Sequence, residues 1–131
     1  LAKLVLKNLD VEIELIELKG YTKHEVRILM NAADLLLVTS FSETGPIVVK
    51  KALAWNYPLI STNVGNVKSI TEKVDNCFVT SYDPIEIGEK IRIILSSGLR
   101  TNGRIFMKSY GLDKIAKKVK IAYETTLKIW A

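Results

Sequence analysis

Leu35-Leu-Leu-Val-Thr-Ser-Phe-Ser-Glu-Thr-Gly-Pro46 decides the fold of this 131-residue chain. Its first four residues form a continuous apolar run, the pattern of a strand buried on both faces of a parallel sheet. The polar, glycine-bearing loop Ser40-Phe-Ser-Glu-Thr-Gly45 follows, and Pro46 suits the first position of a helix. That helix is expected to run to about Trp55, with Asn56 as a left-handed cap. Upstream, Thr22-Lys-His-Glu25 reads as a capping box that opens a helix with Val26, Leu29, Met30 and Ala33 on one face. Before it, Val11-Glu-Ile-Glu-Leu-Ile-Glu-Leu18 alternates and predicts a strand that Gly20 ends. Downstream, Leu59-Ile-Ser61 predicts a strand. A short helix is expected over Val67 to Lys73, and another strand over Cys77-Phe-Val-Thr80. A further helix starts at the acidic cap Asp83 before Pro84 and ends near Gly98.

The order is strand then helix, four times over. Each crossover is too long for a hairpin and long enough for a parallel pair. The expected architecture is therefore α/β, a Rossmann-like, doubly wound parallel sheet with flanking helices, in one domain over residues 1–131. The tail adds a helical piece near Arg100 to Lys108. A long last helix follows from Asp113, with Ile115, Val119, Ala122, Tyr123 and Leu127 expected toward the core.

Composition narrows the function classes. Apolar residues make up 48% and charged residues 25%, an ordinary globular balance. No apolar run is long enough to cross a bilayer. One cysteine, Cys77, excludes an internal disulfide and a cysteine-rich zinc site, and one histidine, His24, argues against a histidine-based metal site. Residues 1–88 carry a net charge of −2 and residues 89–131 a net of +7. Such a tail raises the question of nucleic acid, but no aromatic residues interleave with the lysines as a base-stacking site requires, and no nucleic acid is expected. His24 reads as an exposed helix-start residue, Cys77 as a small core residue, and Trp55 and Trp130 as packing residues at helix ends. Of the adjacent Lys50 and Lys51, at most one can face a ligand, because neighbours on a helix diverge.

In open α/β sheets ligands bind beyond the carboxyl ends of the strands. The loop after Val38 is the candidate. The free amides of its helix start attract phosphate, Gly45 allows close backbone approach, and the Glu43 carboxylate accepts hydrogen bonds from sugar hydroxyls. The combination suits a sugar joined to a phosphate.

Several stretches together resemble the donor-binding half of a GT-B glycosyltransferase, most closely family 4 of the retaining nucleotide-sugar enzymes. They are Met30-Asn-Ala-Ala-Asp34, Leu35 to Ser40, Ser42-Glu-Thr-Gly-Pro46, Ala52-Leu-Ala54, Pro58-Leu-Ile-Ser-Thr62, Val64-Gly65 and Arg100-Thr-Asn-Gly-Arg104. The resemblance implies a donor site formed by Ser42, Glu43, Thr44, Gly45, Pro46 and the Ile47 and Val48 amides. Glu43 would hold the donor sugar near the reacting carbon and the amides would hold the diphosphate. Gly20 and Tyr21 match the loop beside the nucleotide base. Such enzymes need no metal, and a nucleotide-diphosphate sugar is the donor. The family's second glutamate falls at position 51, where this chain has Lys51. A carboxylate accepts both ribose hydroxyls, whereas an ammonium only donates. Thr44 stands where glycine is common.

The resemblance also implies an upstream central strand bearing an arginine and a lysine, and an amino-terminal acceptor domain. The chain is thus expected to be a piece of a longer two-domain enzyme, inactive alone and prone to self-association along an open sheet edge. The full enzyme would move a hexosyl group to a glycan or lipid-linked acceptor. It would do so in the cytoplasm, with the lysine-rich last helix resting on anionic lipid at the membrane periphery. The alternative is a degenerate, non-catalytic module of the same fold that serves in assembly or regulation.

Overall fold

Residues 1–130 are described by a computed structural model. The run at Leu36–Val38 forms β1, Leu59–Thr62 forms β2 and Cys77–Thr80 forms β3. They pair in parallel in the order β1-β2-β3, with Leu37 opposite Ile60 and Ile60 opposite Phe78. Every residue of β2 is buried. Alternation sends Leu36, Val38 and Leu59 to one face of the sheet and Leu37, Ile60 and Phe78 to the other.

Helices cover both faces. The first face packs on α2 (Lys23–Ala32), α3 (Ile47–Ala54) and α4 (Val67–Thr71), through Met30, Val49, Leu53, Val67 and Ile70. The second packs on α1 (Ala2–Lys7) and α5 (Pro84–Ser97), through Val5, Ile87, Ile91 and Ile94. The doubly wound α/β arrangement is the one expected. Its helix signals hold as well. Thr22 and Glu25 make a reciprocal capping box, Asp83 accepts from the Ile85 amide ahead of Pro84, and Asn56 sits at φ +56° just past α3.

Several expectations are corrected. Residues 11–18 form no strand. Their backbone has no ladder partner, and Val11, Leu15, Ile16 and Leu18 are exposed. Only Ile13 reaches the core, against the α1–α5 layer. Alternation marks which side chains a strand would bury, but a strand exists only when a neighbour takes its backbone groups. Among the described residues the outer edge of β1 is unpaired, so the sheet has three strands, one fewer than the expected four. Pro46 is the N-cap of α3 rather than its first residue. The helix from Val67 stops at Thr71, and the piece expected near Arg100 is α6 (Gly103–Met107), followed by a 3-10 turn at Lys108–Tyr110.

The largest departure is the last helix, α7 (Leu112–Trp130), which buries none of its residues. Ile115, Val119, Tyr123 and Leu127 are 41%, 48%, 69% and 69% exposed, and Trp130 is 85% exposed rather than packed. Ala122 is exposed as well. Trp55, at 39%, packs only in part.

Helices α3 and α6 cross in close contact. Asn56 fixes it, because its carbonyl accepts from the Thr101 amide at 3.0 Å and its side-chain oxygen from the Arg104 amide at 2.9 Å. Gly103 then lies against the α3 backbone, and a Cβ there would stand 2.8 Å from the Leu53 carbonyl oxygen and 2.9 Å from its Cα. Backbone cannot swing aside as a side chain can. Gly103→Ala is expected to cost about 1–3 kcal/mol of stability, read as a lowered urea midpoint at an unchanged slope.

Candidate functional site

Parallel pairing brings the loops that follow β1, β2 and β3 to one end of the sheet. Three contacts tie them together. Thr62, at the end of β2, donates its hydroxyl to the Ser40 carbonyl at 2.6 Å. Tyr82, after β3, donates to the Phe41 carbonyl at 3.3 Å, and its ring stacks on Phe41 with centroids 4.9 Å apart. Gly65, after β2, holds φ +51° directly beneath the Glu43–Thr44 backbone, and a Cβ there would stand 2.8 Å from the Glu43 carbonyl oxygen. The loop that bears Glu43 therefore rests on a seat that any side chain at position 65 would fill.

On that seat Ser42, Glu43 and Thr44 are exposed. Glu43 is anchored by one side-chain bond, accepted from the Ser40 hydroxyl at 3.2 Å, which leaves oxygen lone pairs for a ligand. Gly45 is half-buried and Pro46 buried, and from Pro46 the chain turns into α3. Val49 donates to the Pro46 carbonyl at 3.2 Å, so the Ile47 and Val48 amides stand at the open mouth of the helix. The Ile47 side chain points outward at 68% exposure, while Val48 packs against the core.

The two lysines of α3 divide as helical geometry requires. Lys50 turns toward the loop, with Nζ 4.0 Å from where a Gly45 Cβ would be, and also lies 5.7 Å from the Tyr110 ring centroid. Lys51 is exposed and makes no ion pair among the described residues. The site thus combines a carboxylate, two helix-mouth amides and an ammonium. Such a set can accept from hydroxyls on one side and hold an anionic oxygen on the other.

Gly20 and Tyr21 precede the group in the chain, in the segment before α2. Gly20 holds φ +81° with open space around it, Tyr21 is 44% exposed, and among the described residues no hydrogen bond links them to the Glu43 loop. They do precede α2, which hands over to β1 through Ala33-Asp34-Leu35 and so begins toward the carboxyl end of the sheet. Sequence reasoning did not assign Asn66, whose buried Oδ1 has no hydrogen-bond partner among the described residues and sits 3.4 Å from a Gly45 Cβ position. Nor did it assign Thr80, whose buried hydroxyl at the end of β3 is likewise unpartnered, or the Phe41–Tyr82 pair. Their signal was positional, since each follows a strand of one parallel sheet.

His24 is exposed in the first turn of α2, and among the described residues no three metal-ligating side chains cluster. Cys77 begins β3, at the sheet end opposite the site. Burial pushes its thiol up to about 12, an effect the nearby Asp75 charge reinforces and the Leu59 backbone opposes.

The family model described as Glycosyl transferases group 1 matches residues 2–97. The chain is also similar to TuaC of Bacillus subtilis (strain 168), a protein assigned as a glycosyltransferase of teichuronic acid biosynthesis. The two are 38% identical over 68 residues, which cover 52% of this chain and 18% of that protein. The matched part is therefore less than a fifth of the relative's length. No solved structure matches the chain.

Two outcomes follow from this geometry. Gly65→Ala is expected to cost about 1–3 kcal/mol, from the positive φ and the clash with the Glu43–Thr44 backbone together. The exposed Glu43→Gln should stay within about 0.5 kcal/mol of the parent, and paired denaturant titrations separate the two. Cys77 should react slowly with a thiol-specific disulfide reagent at pH 8 and quickly once unfolded. Because the folded thiol keeps its proton while the unfolded one loses it near pH ~8.5, Cys77 lowers stability as pH rises from there toward about 12, and contributes no such loss below.

Proposed function

This chain belongs to the group 1 glycosyl transferases, and from that membership we propose that it is the donor-binding part of a retaining enzyme of the GT-B fold, family 4. The enzyme moves a hexosyl group from a nucleotide sugar to a glycan or lipid-linked acceptor. TuaC's assignment to teichuronic acid biosynthesis supports a growing polysaccharide as the acceptor class.

The observation that carries the reading is the Glu43 loop, seated on Gly65 beside the mouth of α3 with Lys50 turned toward it. Glu43 accepts hydrogen bonds from the donor sugar's hydroxyls and fixes the anomeric carbon for attack. When the bond from that carbon to the diphosphate breaks, negative charge grows on the leaving oxygens. The Ile47 and Val48 amides and the Lys50 ammonium offset it, already in position before the reaction. No metal is needed for that role. Lys50, which the resemblance did not single out, is the cation of this chain best placed to replace part of the phosphate-binding arginine and lysine expected upstream. The acceptor enters from the amino-terminal domain, which forms the opposite wall of the cleft.

Lys51 favours a second reading, a module that kept the fold and lost donor binding. The position calls for an acceptor of two ribose hydroxyls, and an ammonium cannot serve. Calorimetric titration of the chain with UDP and GDP separates the two readings. The donor-site reading expects binding of one nucleotide, tightening in Lys51→Glu by about 1–3 kcal/mol, roughly five- to 150-fold. It also expects weakening in Lys50→Gln. Silence of both the folded parent and Lys51→Glu at millimolar nucleotide would sink it and leave the non-catalytic module.

A further inference from the structure

We propose that the open face of the Phe41 ring is a stacking platform for a neutral pyranose, the sugar of the acceptor glycan that receives the transferred group. That the sugar is the acceptor's rests on the donor-site reading; that the ring binds a sugar does not.

Phe41 is 78% exposed, yet its backbone is held from two sides. The Ser40 carbonyl accepts from the Thr62 hydroxyl at 2.6 Å, and the Phe41 carbonyl from the Tyr82 hydroxyl at 3.3 Å. The Phe41 and Tyr82 rings stack at 16° between planes, with centroids 4.9 Å apart. Tyr82 thereby covers one face of the Phe41 ring and fixes its orientation, and the other face is the one open to solvent. Among the described residues Phe41 belongs to neither hydrophobic core, so packing of the fold does not account for it. A flat apolar ring already held in place has little freedom left to lose on binding a ligand.

The surroundings select the partner. In the chain Phe41 lies between Ser40 and Ser42, and Tyr82 between Ser81 and Asp83, so the apolar surface is narrow and its rim polar. A partner helix or a lipid surface wants a broader apolar patch. A pyranose has the matching form, with C–H groups on one flat face and hydroxyls round its edge. Those C–H groups carry partial positive charge toward the negative face of an aromatic ring, and the hydroxyls donate to carboxylates such as Glu43. Charge turns away anionic candidates. Residues 40–46 and 80–86 carry Glu43, Asp83 and Glu86 and no lysine or arginine. Lys50 stands at Gly45, the other end of the loop. A nucleobase would bring its phosphates, and a uronic acid its carboxylate, against these acids.

Position assigns the role. The diphosphate end of the donor site lies at Gly45, Lys50 and the mouth of α3. Phe41 is at the β3 end of the same loop, beside Tyr82. A donor sugar held by Glu43 between them has the diphosphate on one side and the platform on the other, which is where the accepting sugar must lie.

Amide and ring-proton NMR shifts of the chain test this. The neutral probes are cellotetraose, chitotetraose and mannotetraose, and the anionic one is tetragalacturonate. At least one neutral probe should shift the resonances of Phe41, Ser42 and Tyr82 in a saturable titration, and tetragalacturonate should not. Phe41→Ala should weaken that binding roughly two- to tenfold, the range of one aromatic contact, and Phe41→Trp should keep or tighten it. Position 41 is exposed, and unchanged far-UV circular dichroism shows that both variants fold. No shift with any neutral probe, an unchanged affinity in Phe41→Ala, or equal binding of tetragalacturonate would overturn the proposal. Nucleotide is absent from these titrations, so the two readings fail separately. Nucleotide binding without saccharide shifts strikes the platform alone, and saccharide shifts without nucleotide binding support the platform while the donor site fails.

Discussion

Parallel pairing on both edges of β2 is the constraint from which the rest of the molecule follows. Leu59–Thr62 is buried on both faces and hydrogen-bonded on both sides. A strand so enclosed must be apolar throughout, or must satisfy its polar side chains locally. Ser61 and Thr62 do so by donating to the Thr62 and Ser40 carbonyls. Parallel neighbours cannot be joined by tight turns, so each connection must cross back along a helix. That requirement puts helices on both faces and the three strand-exit loops at one end. The proximity of Glu43, Gly65 and Tyr82 is thus a consequence of strand direction before it is a property of any one loop.

Much of this was legible because the signals were local and redundant. The run Leu35-Leu-Leu-Val38 was too short and too apolar for anything but an enclosed strand. Thr22 with Glu25, and Asp83 with Pro84, announced helix starts by side-chain chemistry that works without knowledge of the rest of the fold. The Glu43 loop could be found from its place between a buried strand and a Pro-led helix. What could not be read was which residues outside that loop meet it. Gly65 carries no chemistry of its own. Its importance is that it lacks a Cβ where the Glu43–Thr44 backbone passes, and such a contact exists only once the two loops are side by side. The choice between Lys50 and Lys51 is of the same kind. Both are on α3, and the rotation of that helix against the core, set by Val49, Ala52 and Leu53, turns Lys50 toward Gly45 and leaves Lys51 exposed.

The two misread elements, residues 11–18 and α7, have a common cause. Each carries a correct periodicity. Alternation over Val11 to Leu18 specifies a half-buried strand, and the 3.6-residue spacing in α7 specifies a half-buried helix. Periodicity states which side chains need cover. It does not supply the cover. The sheet core ends at β1 on one side, and the core built on Tyr57, Leu53 and Met107 closes with α6 on the other, so α7 buries none of its residues and residues 11–18 find apolar cover only for Ile13.

The two segments nonetheless behave differently, and the difference lies in the backbone. A helix satisfies its own amides and carbonyls, so α7 keeps its form over Leu112–Trp130 without a single buried residue. Residues 11–18 have no such internal ladder. Without a neighbouring strand their polar backbone groups turn to water, and the segment stays irregular. The kinds of partner that could complete each one follow from this. Only another strand, in register, can supply the hydrogen bonds that residues 11–18 and the free edge of β1 require. An element that already satisfies its own backbone asks only for apolar cover, a demand that needs no strand register. The part of this chain with the least specific demand is therefore the part whose apolar face stands most fully open.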